Sequence, residues 1–266
     1  MYNRSINKTI GVTVMSAILH TEKLCKTFSN GGVQQHVIKN LDLEIAAEDF
    51  TVIMGASGSG KSTLLYALSG MDKPTLGKVY FGDEEISGYT NDQLAVFRRK
   101  HCGFVFQNIY LLDQMTVFDN IMTGALAAQK NSPELVKKAE TLLEKVGIGK
   151  ELWKKYPNQL SGGESQRVGI VRAIINDPEI LFADEPTGSL NSASGTDVLN
   201  IFTELHARGQ AMVIVTHDLK TALRGTRVIF LQDGAVVGTH EMPRYGSDDL
   251  KTRRDGLQAF LEKMGW

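Results

Sequence analysis

The chain has 266 residues and a nearly balanced charge, with 29 Lys and Arg against 30 Asp and Glu and a formal net charge of −1. This length allows one large domain or two small ones. The balanced charge argues against a dedicated binder of polyanions, so no nucleic-acid partner is expected. A hydrophobic share of 42% and a charged share of 22% are typical of globular proteins and exclude a disordered chain.

The cysteines and the hydropathy pattern argue against a zinc-binding, a membrane-spanning or a secreted protein. Cys25 and Cys102 lie far apart without a CxxC spacing, so the sequence suggests no zinc site. No apolar run approaches the roughly 20 residues that a membrane-spanning helix needs. The apolar stretch before His20 is too short for a signal peptide, and Met15 would be a reasonable translation start. Residues 1–15 are therefore expected to form a disordered or misassigned extension.

Strands are predicted in both the first and the last third of the chain. Apolar–polar alternation and short apolar runs predict early strands over Ala17–Lys26, Val37–Ile45, Phe50–Met54 and Val79–Phe81. Later strands are predicted over Ile180–Ala183, Ala211–Thr216, Arg227–Gln232 and Ala235–Val237, the last two flanking an Asp233-Gly234 turn. Helices are predicted between these strands over Ser62–Leu68 and Ser192–Ala207. A final helix is predicted after the last strand, with an apolar face of Leu257, Phe260, Leu261 and Met264.

The middle of the chain, from Asn91 to about Asp177, has helical periodicity and is expected to be almost purely helical. Helices are predicted over Asp92–Lys100, Val117–Ala128 and Ser132–Val146. In the last of these, Ser132 can cap the helix and Pro133 suits its first turn. Strands on both sides of a helical middle predict one α/β core with a helical insertion.

A phosphate-binding loop is predicted between a strand and a helix. Residues 55–62 match G-x-x-x-x-G-K-[ST], and the glycines let backbone N–H groups converge on phosphate oxygens. Lys61 would neutralise the β- and γ-phosphates, and Ser62 would offer its hydroxyl to Mg²⁺. A Gly/Ser-rich hairpin loop is the alternative, which the flanking strand and helix disfavour. The residues predicted to contact nucleotide are Gly55, Ser57, Gly58, Ser59, Gly60, Lys61, Ser62 and Thr63.

Two further patterns have the residue types of a nucleotide site. The apolar strand Ile180–Ala183 ends in two carboxylates: Asp184 is placed to hold Mg²⁺ through its water shell, and Glu185 to polarise an attacking water. Leu160–Glu164 has a capping-box spacing, and its two glycines leave room for an anion at a helix N-terminus. Taken alone, the first pattern indicates an acidic turn and the second a well-capped helix.

Taken together, the motifs resemble the ATP-binding cassette (ABC) ATPases, the nucleotide-binding subunits of transporters. The resemblance covers residues 16–240 and rests on the phosphate loop, Gln107 in Phe104–Gln107, Leu160–Glu164, Asp184-Glu185-Pro-Thr, Ser189-Leu190-Asn191 and His217 in Val-Thr-His-Asp. It implies an α/β fold: a P-loop NTPase core of the ABC ATPase type, with an antiparallel β subdomain and an inserted α-helical subdomain at about 91–177. Residues 241–266 would follow as a C-terminal amphipathic helical tail.

The resemblance also implies roles for single residues. ATP would lie between the phosphate loop of one subunit and Ser161, Gly162 and Gly163 of a second copy, in a head-to-tail dimer. Mg²⁺ would be held by Ser62, Gln107 and Asp184, and catalysis would use Glu185, His217, Lys61 and Gln107. Phe28 stands where the family places an aromatic that stacks on adenine, with a buried core position as the alternative. Asn191 stands where many members have Asp, which would remove a charge from the interface loop.

Within this family the sequence of the motifs is most similar to that of the branch of macrolide exporters, lipoprotein-releasing systems and bacitracin-type peptide-resistance transporters. The resemblance implies an ATPase at the cytoplasmic face of the cell membrane. It would energise a separate integral membrane permease for export or extraction of peptide, lipoprotein or lipophilic substrates. The alternative is a cell-division-type ABC ATPase that signals through a membrane partner without transport. A soluble ABC protein of translation or repair, or a P-loop kinase, fits the sequence less well.

Overall fold

The computed structural model describes residues 17–246 and 250–266, so the expected extension over residues 1–15 lies outside the described residues. The strands are β1 (Ala17–Asn30), β2 (Val33–Ala46), β3 (Phe50–Met54), β4 (Leu76–Phe81), β5 (Glu84–Glu85), β6 (Cys102–Phe106), β7 (Ile180–Asp184), β8 (Ala211–Val215), β9 (Arg227–Gln232) and β10 (Ala235–Glu241). The helices are α1 (Lys61–Leu68), α2 (Asn91–His101), α3 (Val117–Leu126), α4 (Pro133–Lys145), α5 (Gly162–Ile174), α6 (Ser192–Ala207), α7 (Leu219–Ala222) and α8 (Leu250–Lys263).

A mostly parallel sheet forms the centre of the fold. Among the described residues it has six strands, in the order β10-β9-β3-β8-β7-β6, and only β10 runs antiparallel to its neighbour. Every residue of β3 and β8 is buried, because helices cover both faces of a parallel sheet. In such sheets ligands bind beyond the carboxyl ends of the strands. The carboxyl ends of β3, β6, β7 and β8 and the segments that follow them contain the predicted phosphate, metal and catalytic residues.

A second sheet lies against α1 and α2. Within the described chain it is antiparallel, with the strand order β2-β1-β4-β5. Its apolar side chains share one buried cluster with the first helix, including Leu24, Ile38 and Leu64. This sheet is the antiparallel β subdomain of the predicted fold class, which is confirmed.

The turn between β9 and β10 connects the two sheets. Asp233 and Gly234 both have positive φ, at 50° and 79°, as a two-residue hairpin turn of type I′ requires. The N–H of Gly234 donates to the carbonyl of Ser59 at 3.2 Å, and its own carbonyl accepts from Lys39 at 2.9 Å. A Cβ at Gly234 would lie 2.1 Å from the carbonyl oxygen of Val37, so only glycine allows this approach.

The middle of the chain contains a strand as well as helices. Helices α3, α4 and α5 enclose a separate apolar cluster, and Ser132 caps α4 as predicted, accepting from the N–H of Leu135 at 3.2 Å. The expectation of an almost purely helical stretch was wrong at β6, which pairs in parallel with β7 at the edge of the central sheet. Helix α2 packs Leu94 and Phe97 into the cluster beneath the antiparallel sheet. The bounds 91–177 for the helical subdomain remain a prediction.

The final helix belongs to the main core. Leu257 and Leu261 of α8 are buried in the cluster on one face of the central sheet. Arg253 on the same helix is only 4% exposed, and its guanidinium donates to the carbonyl oxygens of Leu223 at 2.5 Å, Pro243 at 2.6 Å and Gly225. Over residues 17–246 and 250–266, no helix combines the length and apolar character needed to cross a membrane.

Candidate nucleotide site

The loop between β3 and α1 forms a backbone cradle. Gly55 and Gly60 have φ of 154° and 100°, a region that favours glycine. A Cβ at Gly55 would lie 2.1 Å from the carbonyl oxygen of Leu231, and one at Gly60 would lie 3.0 Å from that of Val37. The loop therefore keeps this shape only with glycine at both positions, and α1 begins directly after it.

Two polar groups of this cradle fit an anionic ligand. Lys61 Nζ curls back over the loop and donates to the carbonyl oxygens of Gly55 at 2.8 Å and Ala56 at 2.9 Å. Burial lowers the pKa of the Lys61 ammonium, and the nearby carboxylates of Glu185 and Asp184 oppose that shift. The hydroxyl of Ser59 is buried and has no hydrogen-bond partner among the described residues. A phosphate group would give both of them a charged oxygen to bind.

Asp184 is held on both oxygens by one face of α1. The hydroxyl of Ser62 donates to Asp184 Oδ1 at 2.9 Å, and the hydroxyl of Tyr66 donates to Asp184 Oδ2 at 2.8 Å. Burial and the hydrogen bond to Asp184 raise the pKa of Tyr66 to about 12, so the phenol is a neutral donor at neutral pH. The predicted hydroxyl and carboxylate of a Mg²⁺ site therefore lie in direct contact.

These oxygens suit Mg²⁺, which binds one or two protein oxygens and completes its shell with waters and phosphates. Across the part of the chain that the structure describes, no group of three or more His, Cys, Asp or Glu side chains could hold a metal by itself. The donor set at Ser62 and Asp184 thus fits a magnesium–nucleotide complex and not an all-protein metal cage.

Glu185 is anchored between two residues that follow β8. Its Oε2 accepts from the hydroxyl of Thr216 at 2.9 Å, and its Oε1 lies 2.8 Å from His217 Nδ1. Its backbone N–H donates to the carbonyl of Val215 at 2.9 Å, and its φ of 44° is rare outside glycine. Backbone strain of this kind clusters at active sites and ligand contacts. The His217 side chain is 67% exposed and that of Glu185 is 18% exposed, so the imidazole faces solvent beside a half-buried carboxylate.

Gln107 follows β6 and reaches the same region. A Cβ on Gly188 would lie 3.1 Å from Gln107 Nε2, so the Gln107 amide lies against the turn that begins at Glu185. That turn is closed by a hydrogen bond from the N–H of Gly188 to the carbonyl of Glu185 at 3.0 Å. The structure thus places Lys61, Ser62, Gln107, Asp184, Glu185 and His217 at the carboxyl edge of one sheet.

The glycine pair at the start of α5 lies elsewhere, beside the start of α6. Ser161 and Glu164 form the predicted capping box, with the N–H of Ser161 donating to Glu164 Oε2 at 2.7 Å. The Glu164 carboxylate accepts hydrogen bonds from the backbone N–H and the hydroxyl of Ser161, and both bonds lower the pKa of Glu164. A Cβ on Gly163 would lie 2.7 Å from the side chain of Ser194, while Ser161 and Gly162 are exposed. Asn191 caps α6, its Oδ1 accepting from the N–H of Ser194 at 3.0 Å.

Phe28 is exposed and not part of the core. It lies near the hairpin end of β1 with 44% of its surface accessible, which excludes the buried alternative. The ammonium of Lys26 lies 5.0 Å from the centre of the Phe28 ring and is paired with Asp72 at 2.6 Å. An accessible ring supported by a fixed cation is suited to stacking on a planar base.

Two residues of the site were missed in the sequence. Tyr66 stands four positions after Ser62, which places both on one face of a helix, and this spacing was an available signal. Thr216 precedes His217 and was predicted only as the end of a strand. Nothing in the sequence alone indicates that its hydroxyl meets Glu185, because the two residues come from different strands.

Known proteins are similar to this chain in sequence. The model of the ABC transporter family matches residues 38–188. The macrolide export ATP-binding/permease protein MacB of Shewanella sp. (strain ANA-3) is 40% identical over 85% of this chain, which spans 34% of that relative's length. An uncharacterized ABC transporter ATP-binding protein of Methanocaldococcus jannaschii is 39% identical over 83% of this chain and 98% of its own.

A solved structure is similar over most of the fold. It is the dimeric ATP-binding cassette MJ0796 in a post-hydrolysis state bound to ADP and phosphate. It superposes with a TM-score of 0.79 at 35% identity, and the match covers 85% of this chain and all of the other. The chain spans about a third of the macrolide export relatives but nearly the whole of a single cassette. This chain belongs to the ABC transporter family.

Proposed function

We propose that this chain binds and hydrolyses ATP and thereby energises a separate membrane permease. The observation that carries the proposal is the carboxylate of Glu185, fixed by Thr216 and His217 at the same sheet edge as Ser62 and Asp184. A carboxylate held by two partners beside a phosphate cradle is suited to accept the proton of an attacking water.

Each residue then has a defined part in the reaction. The cradle and Lys61 would bind the β- and γ-phosphates, and Phe28 would stack on the adenine. Ser62, Gln107 and Asp184 would hold Mg²⁺, which supplies positive charge to the phosphate oxygens. Glu185 would take the proton from water, while His217 supports Glu185 and contacts the γ-phosphate. Positioning and charge stabilisation would account for most of the rate.

A second copy of the chain would complete the site. Ser161 and Gly162 are exposed at the start of α5, where the first helical N–H groups have no intrahelical acceptor. They lie beside α6 and not at the phosphate loop of their own chain. In a head-to-tail dimer they would bind the γ-phosphate of the partner's ATP. The dimeric form of the similar cassette supports this assembly.

The segment after Gln107 is suited to contact a permease. It exposes three large apolar side chains, Tyr110 at 65%, Leu112 at 46% and Met115 at 37%. Its backbone is nevertheless fixed, because Arg172 donates to the carbonyl of Tyr110 at 2.6 Å and buried Asn120 bonds both backbone groups of Leu112. An ordered, exposed apolar surface marks a protein contact site.

The matched relatives suggest the kind of transport. The macrolide export relatives are named as ATP-binding/permease proteins, and the match with this chain covers about a third of the length of one of them. We infer an export or extraction system for peptide, lipoprotein or lipophilic substrates, with the chain held at the cytoplasmic face of the cell membrane by its permease. Macrolide export itself is a property of those relatives.

The ATPase part is tested with Glu185→Gln in the full chain. The variant should bind ATP, hydrolyse it at least about a hundredfold more slowly, and accumulate as a dimer, because an amide cannot accept the proton. Glu204→Gln, on the exposed face of α6, is the matched control and should keep full activity. Hydrolysis at the wild-type rate by Glu185→Gln would remove the carboxylate from the reaction.

The permease part is tested by capture from detergent-solubilised membranes with ATP and Glu185→Gln as bait. A permease with few spans and a large extracytoplasmic domain supports export. Adding Leu112→Asp should abolish capture, while Leu76→Asp, 68% exposed on the antiparallel sheet, should not. A many-span importer subunit would contradict the export branch, and recovery of soluble ribosomal or repair proteins alone would contradict transport.

A further inference from the structure

Helix α1 provides two hydroxyl groups to one carboxylate. Ser62 and Tyr66 are four residues apart and therefore lie on the same face of the helix. Each donates to a different oxygen of Asp184, Ser62 to Oδ1 at 2.9 Å and Tyr66 to Oδ2 at 2.8 Å. Both carboxylate oxygens of Asp184 therefore have a hydroxyl partner on α1.

The Tyr66 ring is itself held in place. It is half-buried and packs against the apolar cluster between α1 and the antiparallel sheet. Its backbone carbonyl accepts from the N–H groups of Met71 at 2.9 Å and Asp72 at 3.0 Å, so the end of the helix is closed directly above it. Packing of the ring and the fixed backbone limit the directions in which the hydroxyl can point, which lowers the entropy lost when it binds Asp184.

A carboxylate needs such a partner because the torsion angle of its terminal bond has no narrow preferred value. The side-chain plane of an aspartate turns easily about the Cβ–Cγ bond. Asp184 ends β7 at the sheet edge, and in the proposed site only one of its oxygens can face the metal's water shell. A donor on the other oxygen selects that orientation, as partners of metal-binding groups commonly do.

We propose that Tyr66 is a positioning residue for the metal site: its hydroxyl fixes Oδ2 of Asp184 so that Oδ1, beside Ser62, faces the metal bound with ATP. The proposal rests on the proposed function. In this role Tyr66 acts through Asp184, to which its hydroxyl donates. Loss of its hydroxyl should therefore weaken metal binding without changing the contacts of the phosphate loop with ATP.

The test uses the full chain with Mn²⁺ as the probe. Tyr66→Phe keeps the ring and removes one hydroxyl. Electron paramagnetic resonance of free Mn²⁺ measures its affinity for the ATP complex, and a fluorescent ATP analogue reports nucleotide binding with and without metal. The dissociation constant for Mn²⁺ should rise about tenfold, the lower end for loss of such a partner, with metal-free nucleotide affinity unchanged.

Tyr89→Phe is the matched control. The Tyr89 hydroxyl also bonds a carboxylate, that of Glu84, in the antiparallel sheet. Both variants should melt within a few degrees of the wild type, and only Tyr66→Phe should shift Mn²⁺ binding. Should Tyr66→Phe fold poorly, Tyr66→Met provides a second side chain that fills the space without a donor.

The outcomes separate the two proposals. Metal-dependent ATP binding in the wild type with an unchanged Mn²⁺ affinity in Tyr66→Phe would overturn the role of Tyr66 alone. An equal loss of ATP affinity with and without metal would show that the tyrosine merely supports the helix, and would also overturn it. Absence of metal-dependent ATP binding in the wild-type chain would overturn the proposed function together with this inference.

Discussion

Replacing Thr216 by Val tests whether the anchoring of Glu185 controls hydrolysis. The Thr216 hydroxyl donates to Glu185 Oε2 at 2.9 Å, and the side chain is fully buried at 0% exposure. Valine has almost the same shape and lacks the hydroxyl, so the substitution removes this bond with little change in packing. This bond is part-buried, and it is therefore stronger than the exposed contact with His217.

The expected loss follows from the type of hydrogen bond. A bond to a charged group contributes about 1.5–3 kcal/mol. Because Glu185 keeps His217, we take the lower end, which corresponds to roughly a tenfold fall in kcat. KM for ATP should change little, since the phosphate loop is untouched. The same hydroxyl accepts from the N–H of Asp218 at 3.0 Å, so the free energy of unfolding should also fall by about 1–2 kcal/mol.

The assay is phosphate release over a range of ATP concentrations at saturating Mg²⁺, together with denaturant unfolding. Thr51→Val is the matched control: Thr51 is equally buried and donates to a carboxylate oxygen of Asp49 at 2.9 Å, near the start of β3 and away from the phosphate loop. It should lose stability and keep its rate. Wild-type kcat in Thr216→Val, or an equal fall of kcat in both variants, would refute the reasoning.

Three further predictions concern the cradle, the last helix and pH. Gly60→Ala should weaken ATP binding in titration calorimetry, because the added Cβ would meet Val37. Gly147 also has a positive φ but has open space around it, so the control Gly147→Ala should cost only about 1 kcal/mol of stability. Arg253→Met should lower the free energy of unfolding by about 3 kcal/mol and Tm by about 6–12 °C, because the carbonyl groups that Arg253 bonds lose their donor. Arg254→Met, at the exposed neighbouring position, should melt like the wild type. Burial lowers the pKa of His206, so the unfolded chain binds a proton first and stability should fall as pH drops below 6.5. His206→Gln should reduce that slope in denaturant titrations, and an unchanged slope would contradict the assignment.

The parts predicted from sequence are those specified by local pattern. The bounds of β3 and α6 agree with the structure because an apolar run and a helical period each extend over the whole element. The caps at Ser132 and Ser161 were predictable because capping depends on residues only three apart. The phosphate loop combines both kinds of signal. For such features the sequence neighbours are also the structural neighbours.

The parts that could not be predicted depend on distant segments. The five residues of β6 form an edge strand directly after a helix, too short for a period of their own, and are recognisable only by pairing with β7. The exposure of Phe28 depends on irregular pairing of β1 with β2 between Thr21 and Thr27, where shifts in register change which face a residue occupies. Contacts such as that of Thr216 with Glu185 join residues at the ends of two different strands, so the local sequence of neither strand predicts them.

The turn at Gly234 has a consequence for how a nucleotide would be admitted. This one residue bonds the phosphate loop through Ser59 and the antiparallel sheet through Lys39, and that sheet presents Phe28. The two hydrogen bonds thereby tie the cradle to the sheet that carries the ring before any ligand arrives. Less conformational freedom remains to be lost on association, and affinity gains accordingly. In the proposed site the hairpin would favour ligands whose span from base to phosphate matches the spacing between ring and cradle, because shorter or longer molecules would engage only one end.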